Sequence, residues 1–210
     1  MAHQVACISR SRGAGGEAVG RIVSNELRFR YVDDEILVRA AERAEVDPSL
    51  VADAERRKSL LTRVLEVLAS SGTTAMDPGT AFGPDALIGV NPSANYQDLI
   101  GEVIRETGAE GNTVIVAHAA SMTLAGTDGV LRVLVTATPE TRARRLADAG
   151  SLSEDNARQQ IDKSDAERSD YFRRFYNLSD ELPTHYDVVV NTDTLSIESA
   201  AQVVVAAARA

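Results

Sequence analysis

Five short apolar runs, Val5–Ile8, Phe29–Val32, Gly111–Val116, Val130–Val135 and Tyr186–Asn191, alternate along this chain with segments of helical spacing. Strands that alternate with helices are joined by crossovers, and crossovers build a parallel sheet with helices on its faces. The expected fold class is therefore α/β, with three layers (α/β/α) around a five-stranded, mostly parallel sheet. The first helix takes up its spacing at Ala18 and continues through Ile22, Val23 and Leu27. Asp33 and Asp34 cap a second helix that runs to about Ala44, and Asp47-Pro48 opens a third whose apolar face follows Leu50, Ala54, Leu61, Val64, Leu65 and Leu68. From Ser70 to Asn91 the periodicity breaks, which reads as a functional loop or as disorder. Helical spacing returns from Ser93 to Thr107. Thr138-Pro139 then caps a helix carrying Arg142, Arg144 and Arg145, Ser151 with Glu154 reads as a capping box for a helix to about Tyr176, and Ser196 caps the last helix. With 210 residues and 44% hydrophobic content, the chain can fill one sizeable core.

The turn after the first strand reads Ser9-Arg-Ser-Arg-Gly-Ala-Gly-Gly16. Glycines at a strand-to-helix turn allow positive φ and let backbone N–H groups approach an anion, while the helix that follows adds roughly half a positive charge at its N-terminus. The phosphate-binding motif G-x-x-x-x-G-K-[ST] would occupy these positions. Here Arg10 stands at the first glycine, Gly16 at the lysine and Glu17 at the magnesium-ligating hydroxyl. The strand order implied by the alternation brings four carboxyl-end turns to one rim: Gly13 to Gly16, Asp33/Asp34, the turn after Val116 and the turn after Val135.

Composition removes several function classes. A net charge of −9 is unsuited to a general nucleic-acid binder, which displaces counterions with a basic surface. The single cysteine, Cys7, cannot form an intramolecular disulfide. No segment reaches the roughly 18 consecutive apolar residues of a membrane span, and the start of the sequence lacks a signal-peptide core, so the expectation is a cytoplasmic protein with no membrane partner. Among the 22 lysines and arginines only Lys58 and Lys163 are lysines, and arginine forks suit phosphate and carboxylate groups. Oligomeric state is not written in the sequence, and a homodimer stays open.

These pieces together resemble the cytidylate kinase-like family of P-loop nucleoside-monophosphate kinases. The resemblance rests on Ile8-Ser-Arg-x-x-Gly-x-Gly-Gly16, Tyr31-Val-Asp-Asp-Glu-Ile-Leu37, Gly111-Asn-Thr-Val-Ile-Val116, Leu131-Arg-Val-Leu-Val-Thr-Ala137, Ser153-Glu-Asp-Asn-Ala157, Ser164-Asp-x-x-Arg168 and Asp187-Val-Val-Val-Asn-Thr192, in order along nearly the whole chain. It implies a single P-loop kinase-like domain over residues 1–210, with an acceptor-binding helical region at about 33–108 and a lid at about 142–176. It also implies phosphoryl transfer from ATP, with Mg²⁺, to a small acceptor, with CMP or dCMP as the name-giving candidates. Loops of this branch resemble S-R-x-x-G-S-G-G and share the missing lysine.

The resemblance places Arg10, Gly13, Ala14, Gly15, Gly16 and Glu17 around the nucleotide and makes Arg12, Arg145 and Arg168 the candidate catalytic cations. It places Asp34, Arg39 and His118 at the acceptor. His118, within Ala117-His-Ala-Ala120, stands where cytidylate kinases carry an arginine. No cysteine or second histidine lies at ligand spacing from it, so no metal ligand is assigned. Two other readings stand beside the kinase: a nucleotide-binding pseudokinase with a sensing or interaction role, and a kinase for a different small acceptor.

Overall fold

The computed structural model describes residues 3–33, 35–43, 92–117, 120–150 and 152–210. The chain divides into two compact units, Met1–Asp33 with Ile104–Ala210, and Asp34–Val103. In chain order the described elements are β1 (Val5–Arg10), α1 (Gly16–Leu27), β2 (Arg30–Val32), α2 (Glu35–Arg43), α3 (Pro92–Ala109), β3 (Thr113–Ile115), α4 (Ala120–Thr123), β4 (Val130–Thr136), α5 (Pro139–Gly150), α6 (Glu154–Tyr176), β5 (Val188–Asn191) and α7 (Ile197–Arg209). The expected helix after Asp47 and the expected irregular stretch from Ser70 to Asn91 lie outside the described residues.

The sheet has five strands in the order β2-β3-β1-β4-β5, and every pairing is parallel. Val5 of β1 aligns with Thr113 on one side and with Val130 on the other. The central strand is thus paired along both edges, and its consecutive residues Val5 to Ser9 are all buried, so both its faces are covered and its sequence is apolar without alternation. Ala6, Cys7, Ile8 and Ser9 are fully buried. Burial pushes the Cys7 thiol up to about 12. Helix α1 packs against α7, and Val19, Val23, Ala201, Val204 and Val205 join Ile8, Val114 and Val133 in the main core. Burying each such Val or Ile contributes about 1.5–3 kcal/mol. A second, smaller cluster of Ala143, Ala157 and Ile161 joins α5 to α6.

The boundaries shift from the sequence expectation for local reasons. Helix α1 starts at Gly16 rather than Ala18, because Gly15, at φ 84°, is its N-cap. Strand β3 starts at Thr113, since Gly111 and Asn112 take positive φ and turn the chain. Strand β5 starts at Val188, preceded by a 3₁₀ turn at Pro183–His185. The cap of α6 is Ser153, whose hydroxyl accepts from the Asn156 N–H at 3.3 Å; Ser151, the cap expected from the sequence, lies outside the described residues. A helix that begins at Glu154 needs its cap in the residue just before it.

The chain leaves β1 toward the β3 side and later returns to β4 on the other side. The strand order reverses beside β1, and Ser11 to Gly15 follow the carboxyl end of that strand, the position at which open α/β sheets take their ligands.

Candidate functional site

The turn from β1 into α1 is tight. Ser11 N–H donates to the Val135 carbonyl at 3.2 Å, and Ala14 N–H donates to Ser11 at 3.0 Å. Gly13 and Gly15 hold φ of 81° and 84°. A Cβ at Gly13 would approach the Arg142 carbonyl oxygen to 2.8 Å, and one at Gly16 would approach Arg10 Cβ to 2.5 Å. Among the described residues, the N–H groups of Gly13, Gly15, Gly16 and Glu17 have no hydrogen-bond acceptor, and the Gly15 cap supplies no side chain. Unpaired N–H groups at a helix N-terminus, reinforced by the helix dipole, form a donor set for an anion.

The carbonyl side of the same turn is held by three arginines from α5 and α6. Arg142, 4% exposed, donates to the Arg12 carbonyl at 3.4 Å and makes a fork with Asp165 at 2.9 and 2.7 Å. Arg145 donates to the carbonyls of Gly13 and Ala14 at 3.5 and 3.4 Å, and to the Thr192 hydroxyl and carbonyl at 2.9 and 2.6 Å. The Thr192 hydroxyl in turn donates to Ala14 at 2.8 Å. Arg168, 9% exposed, donates to the Arg10 carbonyl at 3.2 Å and the Ser9 hydroxyl at 2.8 Å, and forks onto Glu181 with Nε at 2.7 Å. Its guanidinium also lies 4.8 Å over the Phe172 ring, and the Tyr186 hydroxyl donates to Glu181. Cations on the carbonyls and open donors on the amides give the turn an oriented dipole, negative side clamped and positive side free.

Arg10 lies inside this arrangement. Its side chain is 15% exposed, its Nε donates to Glu17, and its Nη2 is 3.9 Å from Asp33 Oδ1. Burial lowers the Arg10 pKa, but Glu17, with help from Asp33, outweighs it and the net direction is up. Tyr31 donates to Asp33 Oδ2 at 3.1 Å; burial and that carboxylate both push its phenol up. Arg12 is exposed and reaches α6 through Gln160 Oε1 at 3.0 Å.

The structure thus brings Arg10, Arg12, Gly13, Ala14, Gly15, Gly16, Glu17, Arg145 and Arg168 together in one unit. Arg39 lies on α2 in the other unit, and Asp34 and His118 lie outside the described residues. Sequence reasoning passed over Thr192, Glu181 and the Arg142–Asp165 fork. Thr192 ends a quoted motif and Arg142 belongs to a noted arginine cluster, so both left a signal; Glu181 left none.

The sequence pattern of the cytidylate kinase-like family matches residues 5–194. No curated protein matches the chain in sequence. Among solved structures, an uncharacterized protein from Eubacterium ventriosum is similar with a TM-score of 0.65 and 14% identity, over 97% of each chain. Shikimate kinase from Bacteroides thetaiotaomicron is similar with a TM-score of 0.52 and 16% identity, over 97% of each chain. TT1252 from Thermus thermophilus is similar with a TM-score of 0.52 and 19% identity, over 99% of this chain and 98% of the other. At these identities the likeness is one of fold: a three-layer P-loop kinase architecture. No described helix is long and apolar enough to cross a membrane, and no group of three or more His, Cys, Asp or Glu among the described residues is arranged to hold a metal ion.

Proposed function

The chain belongs to the cytidylate kinase-like family, and we propose that it is a nucleotide-dependent kinase that transfers a phosphoryl group from ATP to a small acceptor, with CMP or dCMP first in line. The observation that carries this reading is the open amide set of Gly13, Gly15, Gly16 and Glu17 at the mouth of α1. Those four N–H groups would take the β-phosphate of the nucleotide, and the clamp on the opposite carbonyls keeps them aimed without reorganisation. Phosphoryl transfer is mostly positioning and charge stabilisation, so a preformed donor set is what such a site needs. Arg12, exposed in the turn and bonded to Gln160 of α6, is the residue assigned to the transferring phosphoryl group. Arg145 and Arg168 act as positioning residues in this arrangement, since each is engaged with loop carbonyls. Arg39, Asp34 and His118 remain the acceptor-side assignment.

Mg²⁺ accompanies ATP in this chemistry and neutralises charge on the β- and γ-phosphates. The residues around the turn do not form a resident site for it. Glu17 stands at the hydroxyl position of the motif, and its carboxylate is already taken by Arg10. The ion is therefore read as the nucleotide's own counter-ion.

The same engagement of Arg145 and Arg168, together with the absent lysine, supports a second reading, a nucleotide-binding pseudokinase. A coupled ADP-release assay separates the two, run with ATP against a panel of CMP, dCMP, other nucleoside monophosphates and shikimate. Acceptor-dependent ADP formation supports the kinase and identifies its substrate. ATP binding by calorimetry with no ADP formed for any acceptor supports the pseudokinase. No binding of any triphosphate removes both.

A further inference from the structure

Arg10 occupies the space that the motif's lysine would need. A Cβ at position 16 would lie 2.5 Å from Arg10 Cβ, 3.0 Å from its Cδ and 3.3 Å from its Cγ. The stem of Arg10 therefore runs across the Gly16 backbone, and a side chain at 16 excludes an arginine at 10 in this conformation. The guanidinium is fixed at one edge by Glu17, with Asp33 Oδ1 3.9 Å from Nη2. Apart from the Nε bond to Glu17, its fork donates no hydrogen bond among the described residues. A guanidinium held by a carboxylate through Nε presents its two terminal nitrogens as a planar donor pair, the geometry that suits a phosphate.

We infer that Arg10 is the resident cation of this turn, replacing both the motif's lysine and a protein-held divalent ion, so that the turn binds a triphosphate whether or not Mg²⁺ is present. The inference rests on the nucleotide-binding reading above and adds its metal requirement. Glu17 orients Arg10, and Arg10 in turn keeps the Glu17 and Asp33 carboxylates neutralised. A divalent ion gains nothing by competing for carboxylates that already face a guanidinium, because it would leave that buried cation unpaired.

Two measurements test this, one of them independent of nucleotide. Mn²⁺ alone is titrated by electron paramagnetic resonance into the full chain and into Arg10→Met, which keeps an unbranched stem over Gly16. The expected result is that Arg10→Met binds Mn²⁺ at least about tenfold more tightly than the parent protein, and that Arg10→Met/Glu17→Gln loses the gain. Equal Mn²⁺ affinity in the parent protein and in Arg10→Met overturns the inference. A non-hydrolysable ATP analogue is then titrated by calorimetry in EDTA and in Mg²⁺. Parent affinity is expected to change by less than about threefold between the two buffers, whereas Arg10→Met weakens more than about tenfold in EDTA and recovers in part with Mg²⁺. A parent protein that loses its affinity in EDTA, or an Arg10→Met that keeps it, also overturns the inference. If the analogue binds in neither buffer, the nucleotide reading falls, and the Mn²⁺ titration still decides whether Arg10 displaces a metal. The Arg10→Met/Glu17→Gln pair removes both members of the Nε ion pair together, so the loss of the Mn²⁺ gain reports on the Glu17 carboxylate and not on a Glu17 stranded without its partner.

Discussion

A methyl group at position 16 would lie 2.5 Å from Arg10 Cβ, and that atom sits too near the backbone to swing away. Gly16→Ala is therefore expected to destabilise the protein by about 1–3 kcal/mol, the usual cost of overpacking. Arg10→Gly should relieve most of it, and a double-mutant cycle in urea checks this by giving a coupling of about 0.5–3 kcal/mol between the two sites. Additive effects would show that the stem does not occupy position 16. The turn is only half legible in the sequence. Glycines, arginines and the substituted motif positions were visible in the order of letters, and they located the anion-facing amides. That Arg10 lies over Gly16, rather than both being losses from a motif, needs coordinates. The Arg168–Arg10 and Arg145–Gly13 contacts join residues more than a hundred positions apart, and no local pattern encodes such a pairing. Cys7 gives a second residue-scale expectation. A fully buried thiol pushed up to about 12 is mostly unionised at neutral pH, so a thiol reagent should label it at the rate of opening and not at the rate of a free cysteine. Labelling as fast as in urea-unfolded protein would contradict the burial.

At the scale of elements, strand β5 is tied to β4 by more than its ladder. Arg132 donates to Asp187 through its backbone N–H at 2.8 Å and through Nε and Nη2 at 3.1 and 2.6 Å. The Asp187 N–H returns a bond to the Arg132 carbonyl at 2.8 Å. The side-chain bond from Arg132 holds the Asp187 carboxyl below its ordinary value. A carboxyl lowered in the folded state stabilises the fold above its unfolded pKa, and that stabilisation fades as pH falls through the folded value. Asp187→Asn is expected to cost about 1 kcal/mol at pH 7, discounted because the side chain is 37% exposed, and to cost almost nothing near pH 2. Urea titrations of both proteins at pH 7, 4 and 2 check this, and a difference constant with pH would refute it. Element existence was legible because parallel strands and amphipathic helices have different periods. Element ends were less so. Ser151 and Ser153 both precede an acidic run, and the sequence offers no reason to choose the second. The start of β5 is likewise set by the 3₁₀ turn at Pro183–His185, which has no apolar signature.

At the scale of the molecule, the turn is where separate parts of the first unit meet. Ser9 and Arg10 come from β1, Arg142 and Arg145 from α5, Arg168 from α6, and Thr192 from the segment after β5. An anion that binds the amides of this turn therefore stabilises an arrangement on which all those elements depend. A triphosphate at 100 times its dissociation constant adds about 2.7 kcal/mol to the folded state, which corresponds to a rise in melting temperature of about 5–10 °C. Hydrogen exchange should show where that stability resides. The slowest amides of β1, β4, α1 and α6 should exchange up to about a hundredfold more slowly with the nucleotide than without it. Arg168 and Glu181 form the buried link to α6, and removing one alone would strand the other charge at a cost of about 3–5 kcal/mol. Arg168→Met/Glu181→Gln removes both charges and should separate the effects: nucleotide still slows exchange in α1, while α6 no longer responds. If α6 remains protected in the double variant, the link between helix and turn runs through Arg142 and Asp165 instead, and Asp165→Asn should then uncouple it.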